Sequence, residues 1–133
     1  MPQLVKGGKW VFGWVVIQPD RSLPIPPAAW QEYGFTVGEE AIFIRGSRTS
    51  GGVILATPRL MAASAIDLAR GKRHLGCGQI DTVAQVRLPE QITLAPGQRL
   101  LAVRGSGRAL ALIQQGPIVE EARRHPEIEV FGG

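Results

Sequence analysis

Two arginines stand directly before the same dipeptide, in Arg45-Gly46-Ser47 and again in Arg104-Gly105-Ser106. A guanidinium offers a rigid fork of donors that matches phosphate oxygens, and the backbone amides of a glycine turn suit the same oxygens. The repeated tripeptide therefore reads as an anion grip present twice. It also has a plainer reading, in which Gly46 and Gly105 supply positive φ to two turns and the arginines are solvated strand ends. Further cations lie near these turns and the first strand. Together they make Lys9, Arg21, Arg45, Arg48, Arg87, Arg104 and Arg108 the candidate phosphate ligands, with Lys6 beside them.

Other chemistries lack partners in the sequence. His74 and Cys77 have a metal-like spacing, but His125 is the only other histidine and there is no second cysteine, so a zinc site is short of ligands. Ser47 and Ser106 have no histidine nearby, and Gly105-Ser106-Gly107 lacks the flanking pattern of a phosphate-binding loop. No catalytic constellation assembles, and the expectation is a non-enzymatic protein with no cofactor and no metal. Trp10, Phe12 and Trp14 beside Lys6 and Lys9 could stack single-stranded bases, although alternating aromatics on a strand more commonly pack inward. The ending Phe131-Gly132-Gly133 reads as a frayed terminus.

The arginine turns belong to a larger duplication. An offset of 59 positions holds without a gap from Gly38 to Gly97, Arg45 to Arg104, Ser47 to Ser106 and Pro58 to Pro117. Two copies are too few for a solenoid, so each half is expected to bury its apolar faces against the other. Lys9–Gln18 alternates, with Trp10, Phe12, Trp14 and Val16 on one face and Val11, Val15 and Ile17 on the other, which predicts a strand covered on both sides. Pro19–Ser22 reads as a turn and Leu23–Ile25 as a returning strand, giving a hairpin with Pro24 at an edge. Pro26-Pro27 opens a short helix over 28–33 that Gly34 caps. Residues 41–44 and 53–56 form a second hairpin, and Thr57-Pro58 starts a helix over 58–70. Residues 71–78 read as the linker between halves. The second half repeats this order with an extended 80–86, a stub in place of the first helix, strands over 99–103 and 109–114, and a helix over 117–125 carrying a Glu120–Arg124 pair. Pro126 ends that helix before a last strand over 127–131.

From Trp14 to Leu55 the order is strand, turn, strand ending Ile25-Pro26, helix ending Tyr33-Gly34-Phe35, then Val37-Gly38-Glu39-Glu40, strand, turn, strand. This resembles the AbrB/MazE/SpoVT family of swapped-hairpin domains. A degenerate second copy follows in Leu88-Pro89, Leu94 and Pro96-Gly97-Gln98, so the resemblance extends over residues 10–114. It implies a homodimer in which hairpins exchange to close a barrel, here fused into one chain with a pseudo-two-fold axis. It also implies duplex DNA binding as a prokaryotic transcriptional regulator or antitoxin. The chain departs from the family at its basic positions. The second-strand cation falls on Ser22 and Gln85, with Arg21 one place off, and the arginine expected after Ile-Pro is Trp30.

Length and composition agree with one domain, 1–133, built from repeats 9–71 and 78–126. The charge is +4, from 15 basic and 11 acidic residues, and it is spread evenly over the two halves. That excess permits a polyanionic partner without requiring one. No apolar run approaches the roughly 18 residues of a membrane helix, the start of the chain lacks an export signal, and Cys77 stands alone, which together predict a cytoplasmic protein. The sequence thus predicts a mainly β, pseudo-symmetric barrel that binds DNA. The alternative is a protein-interaction or assembly module, including a homo-oligomer, on the same barrel.

Overall fold

A computed structural model describes residues 10–46, 48, 49, 51–62, 74–105 and 109–133. Lys6, Lys9, Ser47, Ser106 and Arg108 lie outside the described residues, as does 63–70 of the helix expected over 58–70. The fold is mainly β. In chain order it comprises β1 (Val11–Val16), β2 (Ser22–Pro24), α1 (Pro27–Tyr33), β3 (Glu40–Arg45), β4 (Val53–Ala56), α2 (Pro58–Ala62), β5 (His74–Gln79) and β6 (Gln85–Arg87). There follow β7 (Arg99–Arg104), β8 (Leu110–Ile113), α3 (Pro117–Ala122) and β9 (Val130–Phe131). Seven strands form a mixed sheet in the order β5-β3-β4-β8-β7-β1-β9, and β2 pairs with β6 in a second sheet.

The hairpins β3–β4 and β7–β8 form where expected. The expected first hairpin does not. Its turn closes, with the Gln18 amide donating to the Ser22 carbonyl and Arg21 at φ 66, but the strands then part. β1 pairs antiparallel with β7 and β2 antiparallel with β6. Three residues including a proline offer β1 a short ladder, whereas β7 offers six, four of them buried. The expected linker is corrected as well, because His74–Gln79 is a strand pairing with β3.

No closed barrel is present among the described residues: β5 and β9 end the sheet order and no pairing joins them. The inner face that closure would cover is covered instead by the second sheet and α1. Leu23 of β2 and Val86 of β6 are fully buried in one cluster with Phe43, Leu55, Leu100 and Leu112. On the opposite face, Val119 and Ala122 of α3 pack on Leu101, Val103 and Ile113, and Met61 of α2 packs on Ile42, Ile44 and Ala56. The central strands are therefore apolar on both faces, as their near-continuous hydrophobic runs require.

A bulge also revises the reading of β1. The register shifts between Val11 and Gly13, so Phe12 enters the main core while Val11 and Trp14 enter the cluster under α3. One extra residue exchanges the faces of the side chains around it, which separates Phe12 from Trp14. Gly13 has φ 145, and a Cβ there would lie 2.7 Å from the Phe131 ring, so only glycine lets β9 approach.

The short helices follow their local signals. Pro27 starts α1 and Gly34, at φ 65, caps it, with Ala29 and Tyr33 buried. The Thr57 hydroxyl accepts the Leu60 amide at 3.2 Å and opens α2. In α3 the expected Glu120–Arg124 pair is replaced by two i,i+3 pairs, Glu120–Arg123 and Glu121–Arg124, because the helix ends at Ala122. No helix among the described residues is long and apolar enough to cross a membrane.

Candidate nucleic-acid interface

β4 and β8 lie side by side and antiparallel, with Val53 opposite Leu112 and Leu55 opposite Leu110. This sends the two arginine turns to opposite ends of the seven-stranded sheet, where their surroundings differ.

At one end, Arg104 closes β7 and its guanidinium forms an ion pair with Glu32 of α1. Its Nε is buried and has no hydrogen-bond partner among the described residues. α1 is fixed there by the Tyr33 hydroxyl, which donates to the Ala109 carbonyl at 2.8 Å, and burial pushes the Tyr33 phenol up to about 12. Arg59 lies 3.2 Å from Glu39 and donates to the carbonyls of Tyr33 and Gly34. Glu40 begins β3 at the same end. Both described arginines of this end are thus held by carboxylates.

At the other end, the β3–β4 turn carries Arg45 and Arg48, both exposed. Neither Gly46 nor Gly105 has the expected positive φ; in this turn Gly51 and Gly52 do, and the turn fits beside β8 because Gly52, at φ 69, has no side chain, since a Cβ there would lie 1.9 Å from the Leu112 carbonyl oxygen. The Arg48 carbonyl accepts a bond from Gln115, which ties the turn to the end of β8. Arg45 lines a cleft of about 240 Å³ with residues 91–94 and Gln114. Gln114 also lines a second cleft, about 370 Å³, together with Trp14, Arg99, Arg123 and His125. Among the described residues, neither cleft has a carboxylate in its lining.

The remaining candidates divide. Arg21 is built into the fold: its guanidinium donates to the Pro89 carbonyl at 3.3 Å and to the Ile92 carbonyl, tying the first turn to the second half. Arg87 is exposed on β6 opposite Ser22. Nearby, the Asp20 carboxylate is held below its ordinary value by hydrogen bonds from Ser22, with a smaller contribution from the Arg87 charge. Arg45 and Arg48 are thus exposed on one turn and Arg87 is exposed on β6, while Arg21 and Arg104 contact groups within the fold.

Sequence reasoning missed Arg99 and Arg123. The signal available for Arg99 was its place at the head of an apolar strand, in phase with Leu101 and Val103. Nothing in the sequence placed Trp14 or Arg123 beside it.

His74 and Cys77 gather no third potential ligand among the described residues. The Cys77 sulfur lies 3.7 Å from His74 Nε2 on the exposed face of β5, and burial and then Glu40 push the thiol up, away from thiolate. No group of three or more potential ligands gathers among the described residues. Trp10 is 40% exposed and Phe12 is buried, so the three aromatics do not form one platform. Gly132 is not frayed, since its carbonyl accepts the Gln18 side-chain amide at 2.8 Å. No protein-family model, no curated protein and no solved structure matches this chain.

Proposed function

We propose that the chain is a single-chain counterpart of a swapped-hairpin AbrB-type dimer, and that it binds duplex DNA as a regulator through phosphate contacts. The observation that supports this most is the strand order. Exchanging β1 with β5, β3 with β7 and β4 with β8 turns β5-β3-β4-β8-β7-β1 into its own reverse. Under the same exchange β2 pairs with its counterpart β6, and β1 on β7 mirrors β5 on β3. The backbone agrees: Arg21 and Ala84 are the non-glycine residues with positive φ among the described residues, at 66 and 58, and Gly38 and Gly97 match at 85 and 86. Crossed pairing between two copies is what exchanged hairpins produce, and a repeat of this size needs its twin to complete a core.

Within this reading Arg45, Arg48 and Arg87 supply phosphate contacts, together with Lys9 and Arg108, while Arg21 and Arg104 position the scaffold. Exposed guanidiniums release counterions when they meet phosphates, so affinity falls steeply with salt. Binding to random duplex and single-stranded DNA, compared by fluorescence anisotropy at about 50 and 200 mM salt, tests it, since ligands with several phosphate contacts lose orders of magnitude over that range. Salt-insensitive binding, or none at about 50 mM, contradicts it.

The commitment of Arg21 and Arg104 favours a second reading, a protein-interaction or assembly module on the same scaffold. Absence of DNA binding accompanied by self-association in sedimentation would support that reading.

A further inference from the structure

The second cleft has a chemistry of its own. It lies between α3, β1 and β7, on the face opposite the main core. Arg99 stands exposed at the head of β7, and its guanidinium forms no ion pair among the described residues. Arg123 contributes a second cation from the end of α3. Its pair with Glu120 is exposed on both partners, at 58% and 62%, and such pairs are readily exchanged for another anion. His125 also lines the cleft, but its ring is occupied by carboxylates, Nδ1 lying 2.8 Å from Glu127 and Nε2 3.7 Å from Glu121. The same cleft is lined by the half-buried indole of Trp14 and the buried Ile128. The volume, about 370 Å³, falls at the lower end of the roughly 300–1,000 Å³ common for small-molecule sites.

We propose that this cleft is a binding site for a small planar anion, an aromatic ring bearing a phosphate or a carboxylate. The ring packs against the Trp14 indole and Ile128, where an aromatic face also attracts a guanidinium, and the anionic group meets the forked donors of Arg99 and Arg123. A flat ring and a charge are both needed, because the lining carries apolar and basic side chains together. Its small size and apolar lining suit a free ligand rather than a duplex. The site is independent of the DNA reading, since Arg45, Arg48 and Arg87 do not line it.

Isothermal titration of the full chain with four probes tests the proposal. AMP carries ring and phosphate, benzoate carries ring and carboxylate, adenosine has the ring without the charge, and ribose 5-phosphate has the charge without the aromatic ring. The expected result is that AMP or benzoate binds, which also tells a phosphate ligand from a carboxylate one, and that adenosine and ribose 5-phosphate bind at least about tenfold more weakly. Arg99→Gln, a change at an exposed residue, should weaken the bound probe by roughly tenfold or more, and Arg123→Gln should also weaken it. No binding of AMP or benzoate overturns the proposal. So does binding unchanged in both variants, or binding matched by adenosine and ribose 5-phosphate. DNA affinity measured on the same variants separates this site from the phosphate contacts of the arginine turn.

Discussion

Arg45 and Arg104 precede the same Gly-Ser dipeptide and end corresponding strands, but the two ends of the sheet surround them differently. Arg104 meets α1, which supplies Glu32 as an ion-pair partner and Tyr33 as a hydrogen-bonded anchor. Arg45 meets residues 91–94, a stub without a helix, across a cleft whose described lining is neutral or basic. The seven residues of α1 thus give Arg104 a carboxylate partner at its end of the sheet. The same tripeptide stands at two strand ends, while the charge around it depends on segments that pack there from elsewhere in the chain.

The strongest way to break this contrast is to remove the anchor of each cover. Tyr33 packs with Phe12 and Phe35, at ring separations of 6.0 and 5.6 Å, so Tyr33→Ala should cost about 3–5 kcal/mol in urea denaturation, in line with truncating a buried aromatic. Ile92→Ala on the stub side should cost about 2–3 kcal/mol. Equal costs would mean that α1 is no better anchored than the stub. Arg21→Ala removes bonds to the Pro89 and Ile92 carbonyls and should cost about 1–3 kcal/mol in the same assay, loosening the stub rather than α1. Hydrogen exchange that quickens near Tyr33 instead would contradict that assignment.

Much of the architecture was legible because its signals are local. The boundaries of β3, β4, β7 and β8, the Pro27 start and Gly34 cap of α1, and the Thr57 cap of α2 are each carried by residues inside or beside the element. Strand partnership was not legible. The turn at Pro19–Ser22 promised a hairpin and forms, but which strand β1 pairs with is decided by apolar ladders far along the chain. The need for glycine at this bulge was hidden for a similar reason, since the side chain that a Cβ would meet there is Phe131. The candidate arginines were found by type and spacing. That Arg104 is bound by Glu32, that Arg21 holds the stub, and that Arg99 sits by Trp14 are consequences of packing.

Smaller effects sharpen the comparison further. Glu32→Gln breaks a pair that is 40% exposed on each side, so its stability cost should be about 0–1 kcal/mol. Because it releases Arg104, it should also steepen the dependence of log affinity for duplex DNA on log salt by up to about 0.9. The smallest effect is at His125, where hydrogen bonding to Glu127 raises the imidazole above its ordinary 6.5. The folded form therefore binds the proton more tightly. This stabilisation is fully present below about 6.5 and is lost as pH rises through the raised value. An NMR titration should place the His125 midpoint above 6.5, and Glu127→Gln should bring it back; a parent midpoint at or below 6.5 would contradict the contact.

The most direct test of the proposal that Arg45 and Arg48 contact phosphates and Arg104 does not is the salt slope of duplex DNA binding in two variants. Replacing Arg45 and Arg48 together by Ala should lower the slope by about 1.8, near 0.9 for each phosphate no longer neutralised, while Arg104→Ala should leave it unchanged. A slope lowered as much by Arg104→Ala as by the double substitution, or one that neither alters, would contradict it.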